Sequence, residues 1–144
     1  MARNCRFAVA VHIATILALH RESPATSDWI AGSVNTNPVV VRRILSALAK
    51  AVLVTSQRGI SGGSSLAKEP EDISLLDLYR AVDEQEAQAL HHQPPNPRCP
   101  VGAHILPVLV DILARAETAK EQELAQVTVG DVAAAVQGRA AAAE

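Results

Sequence analysis

Apolar residues in the first third of the chain recur at helical spacing and predict three helices. Residues 4–21 are apolar around most of the circumference, so this first helix should be buried on several sides. Ser27 is expected to cap a short second helix. Asn37 is a good N-cap and Pro38 suits the first position of a third helix. The apolar stripe of that third helix comprises Val41, Ile44, Leu45, Leu48 and Val52.

Two short β-rich runs after the third helix predict a hairpin. Residues 53–56 and 64–67 form the expected strands, and the glycine-rich residues 58–63 join them. Two strands linked by a glycine-containing loop are typical of the wing that accompanies some helix-turn-helix domains.

The remainder of the chain is predicted to be helical, with one irregular stretch. Ser74 and Asp77 have capping-box spacing at the start of a fourth helix. Residues 85–98 should be a loop, and Pro100 suits the first turn of a long helix that reaches into the 120s. Pro107 should kink that helix or mark a new start. Its apolar seam is close to heptad spacing and comprises Ile105, Leu109, Ile112 and Ala116.

This order of elements predicts the fold class. The protein is expected to be mainly α with a small β-hairpin, as a winged helix-turn-helix with a long helix added. We expect the winged domain to occupy residues 1–83, a loop to follow over 84–98, and a helical segment to span 99–144.

The charge of the chain is divided between its two halves. The net charge of −2 argues against a nucleic-acid partner when taken alone. Residues 1–68 hold eight basic and two acidic residues, a net charge of +6, whereas residues 69–144 sum to −8. This asymmetry is typical of a basic nucleic-acid-binding unit attached to an acidic body.

The predicted third helix and wing carry the candidate DNA contacts. An exposed helix with a basic face can enter the major groove, and an arginine on a wing can reach the adjacent minor groove. We expect double-stranded DNA to contact Asn35, Thr36, Asn37, Pro38, Val39, Val40, Arg42, Arg43, Gln57, Arg58, Ser61 and Gly62.

Four segments resemble the Rrf2-type transcriptional regulators over nearly the whole chain. They are residues 6–12, residues 41–48, the wing at 58–66 and the helix at 73–82. The resemblance implies a homodimer that binds palindromic operator DNA, with residues 99–144 as its helical dimerisation segment. Val52 departs from the family, which usually has glycine there, and we expect that difference to affect only local packing. The wing's Ile-Ser-Gly-Gly replaces a common all-glycine tip.

The resemblance also bears on cofactors. Well-known family members hold an iron–sulfur cluster through three cysteines just before the long helix, whereas this chain has only Cys99 there. A cluster needs several thiolates, so we expect none. Cys99 is instead a candidate sensor thiol, because an N-cap position and the adjacent Arg98 would stabilise a thiolate. A buried, inert thiol and a metal site with His91, His92 and His104 stay open, and Cys5 is expected in the core.

The predicted function is therefore a sequence-specific DNA-binding transcriptional regulator, most simply a repressor. It would respond to thiol chemistry through Cys99, or to a metal or small ligand if that thiol is inert. An enzyme with Cys99 as nucleophile lacks an orienting residue, so we expect no enzymatic activity. The apolar run at residues 7–19 is shorter than the ~20 residues that span a bilayer, so we expect a cytoplasmic protein without membrane contact.

Overall fold

The computed structural model describes residues 5–82 and 90–144 as helices around a two-stranded hairpin. In chain order the elements are α1 (Arg6–Leu19), α2 (Ser27–Val34), α3 (Pro38–Lys50), β1 (Val54–Gln57), β2 (Gly63–Leu66), a 3₁₀ turn (Pro70–Asp72), α4 (Leu75–Val82), α5 (Pro100–Ala125) and α6 (Val129–Ala142). Residues 84–89 of the predicted loop lie outside the described residues, and residues 90–99 contain neither helix nor strand. The mainly α fold with a small hairpin is confirmed.

Helix α1 lies at the centre of the core. It packs against α2, α3, α4, α6 and β2. Ala10, Ile13 and Ala14 have no exposed surface, and Leu17 is almost fully buried. Alanines at this spacing let the neighbouring helices come close, which explains how a chain with 2% aromatic residues fills its interior.

The starts of α2 and α3 are fixed by side chains that accept backbone hydrogen bonds. Thr26 Oγ1 accepts from the Trp29 N–H at 3.2 Å, so the predicted cap at Ser27 is wrong by one residue. Asn37 Oδ1 accepts from the Val40 N–H at 3.1 Å and Pro38 is the first helical residue, as predicted. Each cap satisfies one of the N–H groups that a helix leaves without an internal partner.

The hairpin is antiparallel, and each strand lies one residue from its predicted place. Val54 pairs with Leu66 and Gln57 pairs with Gly63. The first strand starts one residue later than predicted because Leu53 is part of the motif that terminates α3, in which its N–H donates to the Leu48 carbonyl at 3.0 Å. The wing is defined here as residues 54–66, and its tip as residues 58–62.

Val52 ends α3 in a left-handed conformation with φ of 61°. Its N–H donates to the Ala49 carbonyl at 3.0 Å, which together with the Leu53 bond makes a Schellman motif. Glycine is favoured at this position because a Cβ strains the left-handed conformation. Val52 is also 65% exposed, so its predicted place in the apolar stripe is wrong. The difference from the family that the resemblance implies at Val52 therefore affects the backbone conformation, and the expectation that it affects only local packing is wrong.

The C-terminal helices differ in how they meet the core. Ser74 and Asp77 form the predicted capping box, with both bonds near 3 Å. Helix α5 continues through Pro107 for 26 residues and has no buried residue. Helix α6 returns to α1, and its Val129 and Ala133 are buried. The chain after residue 99 therefore contributes both an outlying helix and part of the core.

Helix α5 is joined to α4 by polar contacts. Tyr79 Oη donates to Glu117 Oε1 at 2.8 Å, and Lys120 Nζ donates to Tyr79 Oη at 3.2 Å. Lys120 also lies 4.4 Å from the centroid of the Tyr79 ring, and Phe7 of α1 meets that ring edge-on at 5.5 Å. These contacts connect the long helix to the core through α4.

None of the helices in the described part of the chain has the length and apolar character needed to cross a membrane.

Replacing Val52 with glycine should stabilise the protein. The side chain is 65% exposed, so its removal costs little packing, and the left-handed strain disappears. We expect a gain of about 1 kcal/mol, which raises Tm by about 2–4 °C in thermal denaturation. Ala51→Gly is the matched control: Ala51 is exposed and right-handed (φ −83°), so that variant should lose about 0.5–1 kcal/mol. A Val52→Gly protein that melts no higher than wild type contradicts the strain at this position.

Candidate nucleic-acid interface

Helix α3 buries one face and exposes a basic one. Its core side comprises Val41, Ile44, Leu45 and Leu48. The exposed side, three to four residues apart along the helix, comprises Val39, Arg42, Arg43, Ser46, Ala49 and Lys50. Helical spacing explains this separation, since residues three and four apart lie on the same face. The basic side chains therefore project from a helix whose orientation is held by the core.

The residues between α2 and α3 end one helix and start the next. Asn35 adopts a left-handed conformation (φ 63°) that ends α2, and the Thr36 N–H donates to the Ala31 carbonyl at 3.0 Å. Asparagine tolerates this conformation better than most residues. Asn37 is occupied as the cap of α3, and Pro38 and Val40 are half-buried. Within the predicted set, Val39 is the side chain at the start of α3 that stands well out of the surface, at 50% exposure.

The wing presents Gln57, Arg58 and Ser61 at exposed positions, whereas Gly62 is half-buried. Gly59 has φ of +106°, a conformation that favours glycine. A Cβ on Gly62 would stand 2.3 Å from the Gln57 carbonyl oxygen, so close that only glycine fits. Gly62 therefore shapes the tip, and the neighbouring side chains are the ones available for contact.

One open groove brings α3 and the wing together. It is lined by Ser27, Arg42, Leu45, Ser46, Ala49, Ser56, Gln57, Gly63 and Ser64. Arg42 and Gln57, both predicted as DNA contacts, share this groove although they are fifteen positions apart in the chain. Ser27, Ser46 and Ser56 were not predicted, because isolated serines have no distinctive spacing. They add hydroxyl groups that suit phosphate or base contact.

Arg43 lies in a different groove. Its lining comprises Arg6, Arg43, Ser46, Ala47, Lys50, Ala51 and Ala81. Arg6 was not predicted as part of the site, since its position at the start of α1 gave no sign that it approaches α3. The two adjacent arginines of α3 therefore line two different grooves. Arg42 lies beside the wing, whereas Arg43 lies beside Arg6 and Lys50.

The arginines on α3 and the wing differ from Arg21 and Arg80 in whether they form salt bridges. Arg21 pairs with Glu69 at 3.2 Å, and Arg80 pairs with Glu121 at 3.5 Å. Within residues 5–82 and 90–144, Arg42, Arg43 and Arg58 make no salt bridge or side-chain hydrogen bond. Unpaired surface cations on adjoining elements create a positive potential that attracts a polyanion.

Cys99 is exposed and is the N-cap residue of α5. The backbone N–H groups of Gly102 and then Val101 hold the pKa of the Cys99 thiol below its usual value, because they stabilise the thiolate. The alternative of a buried thiol is wrong. Cys5 is also exposed and lies just before α1, so its predicted place in the core is wrong as well.

Comparison with known proteins decides the family. Residues 3–135 match the Rrf2 family, which is described as "Iron-dependent Transcriptional regulator". The chain belongs to the Rrf2 family. Its resemblance to that family, predicted from four short segments, is confirmed over nearly the whole length.

Relatives of this Rrf2 protein are regulators. "Putative HTH-type transcriptional regulator YwnA" of Bacillus subtilis (strain 168) is 47% identical over 129 residues, which cover 90% of this chain and 95% of the relative. A crystal structure of a "putative DNA binding protein" is 44% identical with a TM-score of 0.69, covering 88% and 97%. A "putative transcriptional regulator" from Lactobacillus plantarum is 30% identical with a TM-score of 0.77, covering 94% and 91%. The protein is a DNA-binding transcriptional regulator with a winged-helix fold and not an enzyme, as predicted.

The donor atoms of this Rrf2 chain do not fit the iron–sulfur cluster that the family resemblance brings into question. A cysteine-ligated cluster needs several thiolates, and the sequence contains two cysteines, which occupy the N-cap positions of separate helices. In the described parts of the chain, no three His, Cys, Asp or Glu side chains come together as a metal site would require. The structure thus gives no support to the alternative metal site with His91, His92, Cys99 and His104.

Proposed function

We propose that this Rrf2 regulator is a cytoplasmic homodimeric repressor that binds a palindromic operator and responds to oxidants through Cys99. The shared groove of Arg42 and Gln57 is the observation that carries the DNA-binding part of the proposal. It joins the exposed face of α3 to the wing, so that one rigid surface can engage two neighbouring grooves of a duplex.

The dimensions of DNA assign each element to a groove. The major groove is about 12 Å wide and admits an α-helix, whereas the minor groove is about 6 Å wide and admits single side chains. Helix α3 enters the major groove with Val39 and Arg42 toward base edges. The wing then places Arg58 in the adjacent minor groove, where negative potential favours arginine. Arg43 and Lys50, on the other side of α3, contact phosphates.

Helix α5 supplies the dimer contact. It spans about 39 Å, and its exposed side chains Val101, Val108 and Ile112 fall on one stripe because they are seven and four residues apart. An unpartnered apolar stripe on a 26-residue helix is suited to pairing with a second copy of the same helix. Two copies related by a two-fold axis present two copies of α3 to a palindrome.

Occupancy of the operator by the dimer is sufficient for repression. A dimer that covers both halves of an operator overlapping a promoter excludes polymerase, and it needs no additional surface to do so. Oxidation that weakens binding would then switch transcription on.

Arg58→Ala should weaken operator binding with a shallower salt dependence. Losing one groove or phosphate contact reduces the slope of log K against log salt by about one. Arg42→Ala should instead weaken the binding free energy by roughly 1–3 kcal/mol and relax the preference for particular bases. Fluorescence anisotropy across a salt series measures both quantities. Arg139→Ala removes an exposed arginine of α6 as the matched control and should bind like wild type. If Arg58→Ala binds with the affinity and the salt slope of wild type, the wing does not contact DNA.

The thiol part of the proposal rests on exposure and on the lowered pKa of Cys99. The thiolate attacks the O–O bond of hydrogen peroxide, forming a sulfenic acid and releasing hydroxide. This change enlarges the side chain at the N-terminus of α5 and makes it more polar. Helix α5 joins the subunits in our proposal and contacts α4 through Tyr79. A shift of α5 would change the separation of the two α3 helices and so reduce operator affinity.

Cys99→Ser should abolish release from the operator by peroxide. Wild type and the control Cys5→Ser should both dissociate, and their rate should rise with pH and level off once the thiolate predominates. Because the pKa of Cys99 is lowered, that levelling should come at lower pH than for an ordinary thiol. Stopped-flow anisotropy after peroxide addition measures the rate. Equal release of Cys99→Ser and wild type would show that Cys99 is not the switch and would favour a regulator that responds to a metal or small ligand.

A further inference from the structure

The tip of the wing carries an isoleucine that nothing in the described chain covers. Ile60 is 107% exposed, the highest exposure among the large apolar residues, and it lies two positions from Arg58. Single exposed aliphatic residues are common on protein surfaces, so the exposure alone implies nothing. Its position at the tip of the wing, beside the unpaired Arg58 of the described chain, is what points to a ligand.

The tip holds Ile60 in a fixed outward position. The Gly62 N–H donates to the Gly59 carbonyl at 3.0 Å, which closes a four-residue turn with Ile60 and Ser61 at its centre. The missing Cβ of Gly62 lets that turn lie against the Gln57 carbonyl. Residues at the centre of a tight turn direct their side chains away from the strands, so Ile60 forms the leading edge of the wing.

The wing itself is fixed relative to the helix-turn-helix. Ser64 and Ala25 exchange two backbone hydrogen bonds of 2.8 and 3.0 Å just before α2. Gly63 (φ +150°) lies so close to Ala25 that a Cβ would stand 2.6 Å from its carbonyl oxygen. When α3 occupies the major groove, the position of Ile60 is therefore already determined.

We propose that Ile60 inserts into the minor groove beside Arg58 and selects A·T pairs there by excluding the amino group of guanine. The inference rests on the proposed placement of α3 and the wing on DNA. In the minor groove A·T and T·A pairs show acceptors only, whereas G·C adds the N2 amino donor. An aliphatic side chain offers that donor no acceptor, and burying it without a hydrogen bond is unfavourable. Apolar side chains of this size are used by other minor-groove-binding proteins.

This assignment separates the two residues of the tip. Arg58 attracts the wing to the minor groove electrostatically, so its contribution to affinity depends on salt. Ile60 discriminates between A·T and G·C pairs through the groups that they expose in the minor groove. Operator positions below the wing should then show a preference for A·T without any major-groove contact at those pairs.

Base analogues test this directly. In an operator selected from random duplexes with wild-type protein, each flanking pair is replaced in turn by A·T, G·C, inosine·C and 2,6-diaminopurine·T. Inosine lacks the minor-groove amino group of guanine, and diaminopurine adds it to adenine. At the wing position, wild type should bind A·T and inosine·C alike and bind G·C and diaminopurine·T roughly tenfold more weakly.

The variants then identify the residue responsible. Ile60→Ser should lose the amino-group discrimination, and Ile60→Val should keep it, because valine preserves a branched apolar side chain. Circular dichroism melting should match wild type for both, since the side chain is fully exposed. Discrimination that persists in Ile60→Ser, or an equal loss of affinity on all four pairs, overturns the assignment. Failure of wild type to bind any duplex would overturn the proposed DNA placement itself, which is a separate outcome.

Discussion

The close backbone contact between Ala25 and Ser64 is the constraint on which the proposed DNA-binding surface depends. Two hydrogen bonds join the segment before α2 to the second strand of the wing, and they form only because Gly63 has no Cβ. The wing is therefore joined to the helix-turn-helix by backbone hydrogen bonds and not only through the chain. The groove that contains Arg42 and Gln57 exists as one surface because of this contact. A wing that was free to move would have to be ordered on binding, with a loss of affinity.

The division of charge has a structural basis in the same arrangement. The basic first half contributes α3 and the wing, where three arginines are unpaired within the described residues. The acidic second half supplies the partners for cations elsewhere, since Glu69 pairs with Arg21 and Glu121 pairs with Arg80. Acidic residues thus neutralise cations away from α3 and the wing and leave the surface formed by those two elements positive. The near-neutral total charge conceals this separation.

Local chemistry in the sequence predicted much of the fold. Asn37 with Pro38 and Ser74 with Asp77 mark helix starts through interactions between neighbouring residues, so no tertiary information was needed. Val52 was misplaced because apolar periodicity continues one step past the point where the Schellman motif ends α3. The environment of Cys5, the approach of Arg6 to α3 and the exposure of Ile60 depend on distant packing or turn geometry. Periodicity cannot supply these, which is why they were found only in the structure.

Hydroxyl-radical footprinting of the operator tests the central claim most directly, because these radicals attack the sugars through the minor groove. The account predicts two protected regions related by two-fold symmetry, each including a minor-groove patch beside a major-groove half-site. Arg58→Ala should lose the minor-groove patches and keep the symmetry. A single asymmetric region, or wild-type protein that leaves the minor groove fully reactive, would contradict a dimer in which α3 and the wing bind DNA as one rigid surface.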